Sequence, residues 1–268
     1  SAMPSPAALL RVPLRAAAIA AATLACYLPL VAGRLVLAGR PRRRLAWSQA
    51  VFRRWTRLLA GIVGMRVEVV GRPPAPPFLL VANHLSYVDV LLLGATAGGA
   101  FVAKREIAGW PVLGHLCRLV GTVFVDREAK RDVVRARTEM ETALATGAGV
   151  ILFPEGGIPG GGRLGPLRPA LLQGAVATGR PVHWAAISYR SPPEAPAAVE
   201  AVVWDGPLAA HVPRLLALPG FRARVVFGAT PVHEPDRKRL AARLQAELAA
   251  ALGEEEPIAP AATGELPR

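Results

Sequence analysis

Phe78-Leu79-Leu80-Val81-Ala82-Asn83-His84-Leu85-Ser86-Tyr87-Val88-Asp89 is a short apolar run that ends in polar residues, and a second apolar run, Val90 to Leu93, follows at once. The first run has the length and composition of a β-strand. Polar side chains therefore gather at the carboxyl end of a strand, where open α/β sheets place their sites. If a turn and the first helical residues follow the strand, Asp89 can fold back toward His84. A histidine with a carboxylate on one ring nitrogen keeps the other nitrogen as an acceptor, able to take a proton from an alcohol. The alternative for an isolated pair at this spacing is structural: His84 fills a polar pocket or caps a helix, and Asp89 solvates the helix start.

Working outward, short β-branched runs alternate with helical patterns from Arg66 onward. Strands are predicted at Arg66–Val70, Phe78–Ala82, Ala100–Ala103, Thr122–Val125, Gly149–Phe153, Pro181–Ser188, Glu200–Val203 and Arg222–Phe227. The clearest helices are Ala129–Ala145, Pro166–Thr178 and Asp236–Leu252. The alternation predicts a single α/β domain over residues 66–252, with a mixed, partly parallel sheet flanked by helices. A chain of 268 residues, 52% of them hydrophobic, is long enough for one such domain and a modest appendage. The tail, 253–268, carries Glu254, Glu255 and Glu256 followed by prolines and small residues, and is read as a mobile end.

The formal charge of +13 is concentrated at the other end: residues 1 to 60 hold ten arginines and no acid. Nucleic acid and an anionic membrane surface both attract such a segment, and the uncharged run from Ala16 to Gly33 favours the membrane. That run approaches the length of a spanning helix, but it is rich in alanine and has arginines on both flanks, which disfavours crossing. The next stretch, Ala46 to Met65, repeats Val51, Trp55, Leu58, Leu59, Ile62 and Val63 on one helical face. Residues 4–65 are therefore expected to form a membrane-associated helical pair inserted in or lying on the cytoplasmic leaflet. A single span remains an alternative. So does a signal peptide, although Thr23 stands where a lipoprotein cleavage site before Cys26 needs a larger aliphatic residue.

Four ordered segments carry a family resemblance. Asn83-His84-Leu85-Ser86-Tyr87-Val88-Asp89 resembles the first motif of the glycerolipid acyltransferases, the family that includes lysophosphatidic acid acyltransferases. Gly121-Thr122-Val123-Phe124-Val125-Asp126-Arg127 is similar to the second motif, Phe153-Pro154-Glu155-Gly156 to the third, and Pro181-Val182 to the fourth. After the third motif the chain departs from the usual pattern, reading Gly156-Gly157-Ile158-Pro159-Gly160-Gly161-Gly162-Arg163. The segment Arg163 to Leu172 resembles the branch that acts on lyso-ornithine lipids.

The resemblance implies an O-acyltransferase in which His84 is the general base and Asp89 fixes its tautomer, with no serine nucleophile; Ser86 is read as a turn or capping hydroxyl. It implies a lysolipid acceptor, 1-acyl-sn-glycerol-3-phosphate first and lyso-ornithine lipid second, with an acyl carrier protein or coenzyme A thioester as co-substrate. Neither cofactor nor metal is expected, membrane lipids are the partners, and nucleic acid is not. The implied location is the cytoplasmic face of the inner membrane. Arg127 and Glu155 match the family's headgroup-binding positions, and Lys104 with Arg105 a basic position between the first two motifs. The backbone amides of Gly156 and Gly157 suit an oxyanion or a headgroup, since no Cβ blocks close approach. Arg127 also has a plainer role open to it, an ion pair with Asp126, Glu128 or Asp132. A thioesterase using water, or a non-catalytic lipid-binding protein, are the readings of other classes.

Overall fold

The computed structural model describes residues 6–126, 130–159, 162–191, 201–204 and 206–253. Two long helices come first, α1 (Pro6–Val36) and α2 (Pro41–Ile62). The α/β unit follows as β1 (Met65–Val70), β2 (Leu79–Ala82), α3 (Asp89–Thr96), β3 (Ala100–Lys104), α4 (Leu113–Leu119), β4 (Val123–Val125), α5 (Lys130–Ala145) and β5 (Val150–Leu152). It is completed by α6 (Gln173–Thr178), β6 (Val182–Arg190), α7 (Leu208–Ala217), β7 (Phe221–Phe227) and α8 (Arg237–Gly253).

The seven strands lie in the order β1-β7-β6-β2-β5-β3-β4. From β6 to β4 they are parallel, whereas β7 runs antiparallel to β6 and pairs in parallel with β1. The sheet is thus mixed and partly parallel, as the alternation of the sequence predicts. Its central strand shows why the core forms: Leu80 and Ala82 point into a cluster with Phe52, Leu92, Leu93 and Leu215, while Leu79 and Val81 point into one with Met140, Leu144, Leu240 and Leu244. Period-two alternation delivers side chains to both faces, each covered by helices.

Two sequence expectations differ from what is observed. Ala201, Val202 and Val203 form a turn rather than a strand, and Glu200 lies outside the described residues. Val202 is fully buried in the core, so its apolar character reflects packing and not a ladder. The stretch read as one helix over Pro166–Thr178 begins with extended residues, passes through a 3-10 turn at Pro169–Leu172 and becomes α-helical only at Gln173. Pro169 explains the delay, since it cannot donate a backbone hydrogen bond and disfavours helical geometry at Arg168.

The amino-terminal helices form the expected pair. Trp47 Nε1 donates to Pro29 O at 2.8 Å and Trp55 Nε1 to Thr23 Oγ1 at 3.0 Å, so both indoles of α2 anchor on α1. The face of α2 turned to the domain is Phe52, Thr56, Leu59 and Ala60, offset from the stripe expected from the sequence. Arg53 and Arg57 cross to α3 and donate to Ala97 O at 2.7 Å and Ala95 O at 3.1 Å, supplying carbonyls at a helix carboxyl end with donors. On α1, Leu9, Leu10, Leu14, Leu24, Leu28, Leu35 and Val36 remain exposed, and the helix is long and apolar enough to cross a membrane.

Candidate active site

β2 ends at Ala82, and the next residue extends its pairing with β6 through a side chain. Asn83 Nδ2 donates to Ile187 O at 2.9 Å and Ile187 N donates to Asn83 Oδ1 at 2.7 Å. This amide, wholly buried, fixes the point at which the chain leaves the sheet. His84 follows, and its ring stacks on Phe153 at the end of β5 with centroids 4.1 Å apart and planes 12° apart.

Asp89 opens α3 and is fully buried. Its Oδ2 accepts His84 Nδ1 at 2.7 Å and the backbone N–H groups of Leu85 at 2.7 Å and Ser86 at 3.0 Å. Oδ1 accepts the hydroxyl of Tyr189, from β6, at 2.6 Å. Four donors around one buried carboxylate compensate the cost of removing its charge from water. They also settle the imidazole tautomer: Nδ1 carries the proton it gives to Asp89, and Nε2 is left as an acceptor. Nε2 has no hydrogen-bond partner among the described residues, and the His84 side chain is 19% exposed. Ser86 is fully buried and its Oγ accepts Val88 N at 3.4 Å, a turn role that leaves no room for attack on a substrate.

Glu155 approaches from the opposite side. One carboxylate oxygen accepts His84 N at 3.0 Å and the other accepts Gly165 N at 3.0 Å. Burial pushes its carboxyl up to about 7, against the two backbone bonds from Gly165 and His84 that pull it down, and the nearby charge of Asp89 adds to the rise. Glu155 thus clasps the loop after the third motif to the loop that carries His84.

A third support comes from α7. His211 is fully buried; its Nε2 lies 3.0 Å from Val203 O, and its Nδ1 lies 3.0 Å from the hydroxyl of Tyr87. A carbonyl can only accept, so Nε2 donates and Tyr87 donates to Nδ1. Trp204 completes the link, donating its backbone N–H to Leu85 O at 3.0 Å and setting its ring edge-on to Tyr87.

The structure therefore brings His84, Asp89, Glu155 and Gly156 together. Gly156 adopts φ +84°, and the amide of Gly157 has no partner among the described residues. Lys104 is exposed at the end of β3, unpaired among the described residues. Arg127 lies outside the described residues. Tyr189 and His211 were not legible as site residues, because each reaches the loop from far along the chain; Tyr189 is 100 positions from Asp89, and His211 is 124 from Tyr87, which lies in the loop itself.

The family model described as Acyltransferase matches residues 66–188, which contain all four motifs. A lyso-ornithine lipid O-acyltransferase of Pseudomonas aeruginosa is 33% identical over 207 residues, covering 76% of this chain and 79% of that protein. One from Rhizobium meliloti is 40% identical over 143 residues, 53% of this chain and 47% of that relative's length. The crystal structure of the 1-acyl-sn-glycerophosphate (LPA) acyltransferase PlsC of Thermotoga maritima superposes with a TM-score of 0.64 over 92% of this chain and 97% of its own, at 21% identity. Fold and motifs define an α/β enzyme of acyl transfer. The chain belongs to the acyltransferase family.

Proposed function

We propose that this enzyme transfers a fatty acyl group from an acyl carrier protein or coenzyme A thioester to the free hydroxyl of a lysolipid, with His84 as general base. The observation that carries the proposal is the 2.7 Å bond from His84 Nδ1 to the buried Asp89, which leaves Nε2 free as an acceptor. Nε2 removes the proton of the lipid hydroxyl as its oxygen attacks the thioester carbonyl carbon. The tetrahedral intermediate collapses with cleavage of the C–S bond, and the imidazolium returns its proton to the departing sulfur. Asp89 stabilises the imidazolium without itself taking the proton.

The relatives' names point to two acceptors, lyso-ornithine lipid and 1-acyl-sn-glycerol-3-phosphate. Similarity over most of its length to the Pseudomonas protein supports lyso-ornithine lipid as the first to test. The exposed leucines of α1 and the ten arginines of residues 1 to 60 support work at an anionic membrane surface, on the cytoplasmic face where the thioesters are made. Incubation of purified protein with both thioesters and a mixed lysolipid pool, read by mass spectrometry, tests the proposal. Wild type should form one diacylated product class and His84→Ala about 10²- to 10⁴-fold less of it per unit time. Thiol release independent of any acceptor would instead mark a thioesterase, and no turnover by folded wild type would overturn the proposal.

A further inference from the structure

Beyond β3 the chain carries four consecutive exposed residues, Trp110-Pro111-Val112-Leu113, where it turns into α4. Three of them are large and apolar, and Val112 stands 72% open to solvent. Val112 also adopts φ +62° and ψ −59°, a γ-turn closed by Leu113 N donating to Pro111 O at 2.6 Å. A β-branched residue rarely adopts positive φ. The backbone is strained to hold an apolar side chain outward, and packing within the protein offsets neither cost. The turn is nonetheless firmly built. At its neck Trp110 N donates to Ile107 O at 3.1 Å, Gly114 N to Trp110 O at 3.0 Å and Leu116 N to Val112 O at 2.9 Å. Arg118 Nη2 ties the same neck by donating to Ala108 O at 2.7 Å, and a Cβ on Gly114 would collide with that carbonyl. Of the amides in Trp110–Leu113, only that of Val112 has no partner among the described residues. The protrusion is apolar outside and hydrogen-bonded within, as backbone entering a bilayer must be.

The position of the turn points to what covers it. Because β2, β5 and β3 are parallel, the turn and the His84 loop leave the same end of the sheet. Two residues past Leu113, His115 packs on α1: its ring lies 5.7 Å from that of Tyr27, with Nε2 3.4 Å from the hydroxyl. Leu24 and Leu28 are exposed beside Tyr27, so the turn continues the apolar surface of a helix long and apolar enough to cross a membrane. Between residues 104 and 118, Lys104, Arg105 and Arg118 outnumber Glu106, a balance that an anionic headgroup layer attracts. Three apolar side chains are too few for a stable protein interface, which buries about 800 Å² per partner. They suit a bilayer surface, where tryptophan is at home between headgroups and chains.

We propose that the turn Trp110–Leu113 inserts into the bilayer surface as a second contact beside α1, holding the His84 end of the sheet against the lipid that supplies the acceptor. The inference rests on the reading of this chain as an enzyme of membrane lysolipids and adds the part of the α/β domain that meets the membrane.

The test uses the full chain with vesicles of phosphatidylethanolamine and phosphatidylglycerol whose acyl chains carry bromine, a contact quencher of tryptophan. The emission of Trp110, taken as the difference between wild type and Trp110→Phe, should be quenched by these vesicles. Val112→Asp is the second variant; aspartate adopts positive φ more readily than valine, so the fold is kept. It should lower kcat/KM for a long-chain lysolipid embedded in vesicles by about tenfold or more, the scale of one apolar side chain no longer buried. Turnover of a short-chain lysolipid dissolved as monomers should stay within about twofold, as for an ordinary surface substitution. An unquenched Trp110, as expected of a turn that docks on another protein, would overturn the contact. Equal losses on both acceptors would do the same, since they mark a turn that only supports the fold. If Trp110 is quenched in a wild type that turns over neither acceptor, the membrane contact stands and the transfer reading falls.

Discussion

Tyr189 donates its hydroxyl to Oδ1 of Asp89 at 2.6 Å, and this single bond joins the sheet core to the loop that carries His84. The two residues are 100 positions apart, both are essentially buried, and the contact leaves Oδ2 entirely for His84 and the loop amides. Burial and the adjacent carboxylate drive the Tyr189 phenol well above its ordinary range, so it remains a donor at any working pH. Tyr189→Phe removes a bond to a buried charge and should cost about 1.5–3 kcal/mol of stability. Activity should fall less than in any variant of Asp89 itself, because the Nδ1 bond remains. Urea denaturation and kcat on the same preparation check both halves; an activity loss as large as that of Asp89→Asn would show Tyr189 to be more than a support.

Asp89→Asn keeps the size of the side chain and reverses the logic of the site. An amide turned toward His84 Nδ1 and the N–H groups of Leu85 and Ser86 can accept with one atom only, so the imidazole loses its tautomer. The expected loss in kcat is on the order of 10⁴-fold, the scale found when a histidine base is braced by an amide. His84→Ala should lose about 10²- to 10⁴-fold and remain folded by circular dichroism. Retention of more than a tenth of wild-type kcat by His84→Ala would remove the base from the mechanism.

Glu155 makes stability depend on pH. Its carboxyl is raised from an ordinary 4.5 to about 7, so the folded protein binds this proton more tightly than the unfolded chain does. The contribution is fully present below about 4.5 and is lost as pH rises through about 7. Its size is on the order of 3 kcal/mol, set by the rise from 4.5 to about 7. Glu155→Gln is neutral throughout and should flatten this part of the profile while losing one backbone clasp. Urea midpoints at pH 5 and pH 8 for both proteins check it; parallel slopes would refute the assignment.

The Tyr87–His211 pair supports the loop from the α7 side. Tyr87→Phe leaves Nδ1 of a fully buried imidazole without its donor and should cost about 1–3 kcal/mol. A loosened base lowers kcat more than it raises the KM of either substrate, and that split is the readout. Burial pushes the Tyr87 phenol up to about 12, so the pair should show no titration of its own from the tyrosine between pH 6 and 9.

How much of this could be read in advance is seen residue by residue. Phe78 to Asp89 contains the strand, the break and the helix start as local signals, and the His84–Asp89 spacing places the two on one turn, so sequence alone determined the fold class and the pairing of His84 with Asp89. It could not place Tyr189, Glu155 or His211 around that loop, because strand order and register bring together residues scores of positions apart. Nor could it separate the arginines of α2 that complete α3 from those left to solvent, since all fall on one amphipathic pattern. Composition and local periodicity are properties of neighbours in the chain, and they fixed what kind of molecule this is. Which donors satisfy a buried carboxylate is a property of neighbours in space, and only packing decided it.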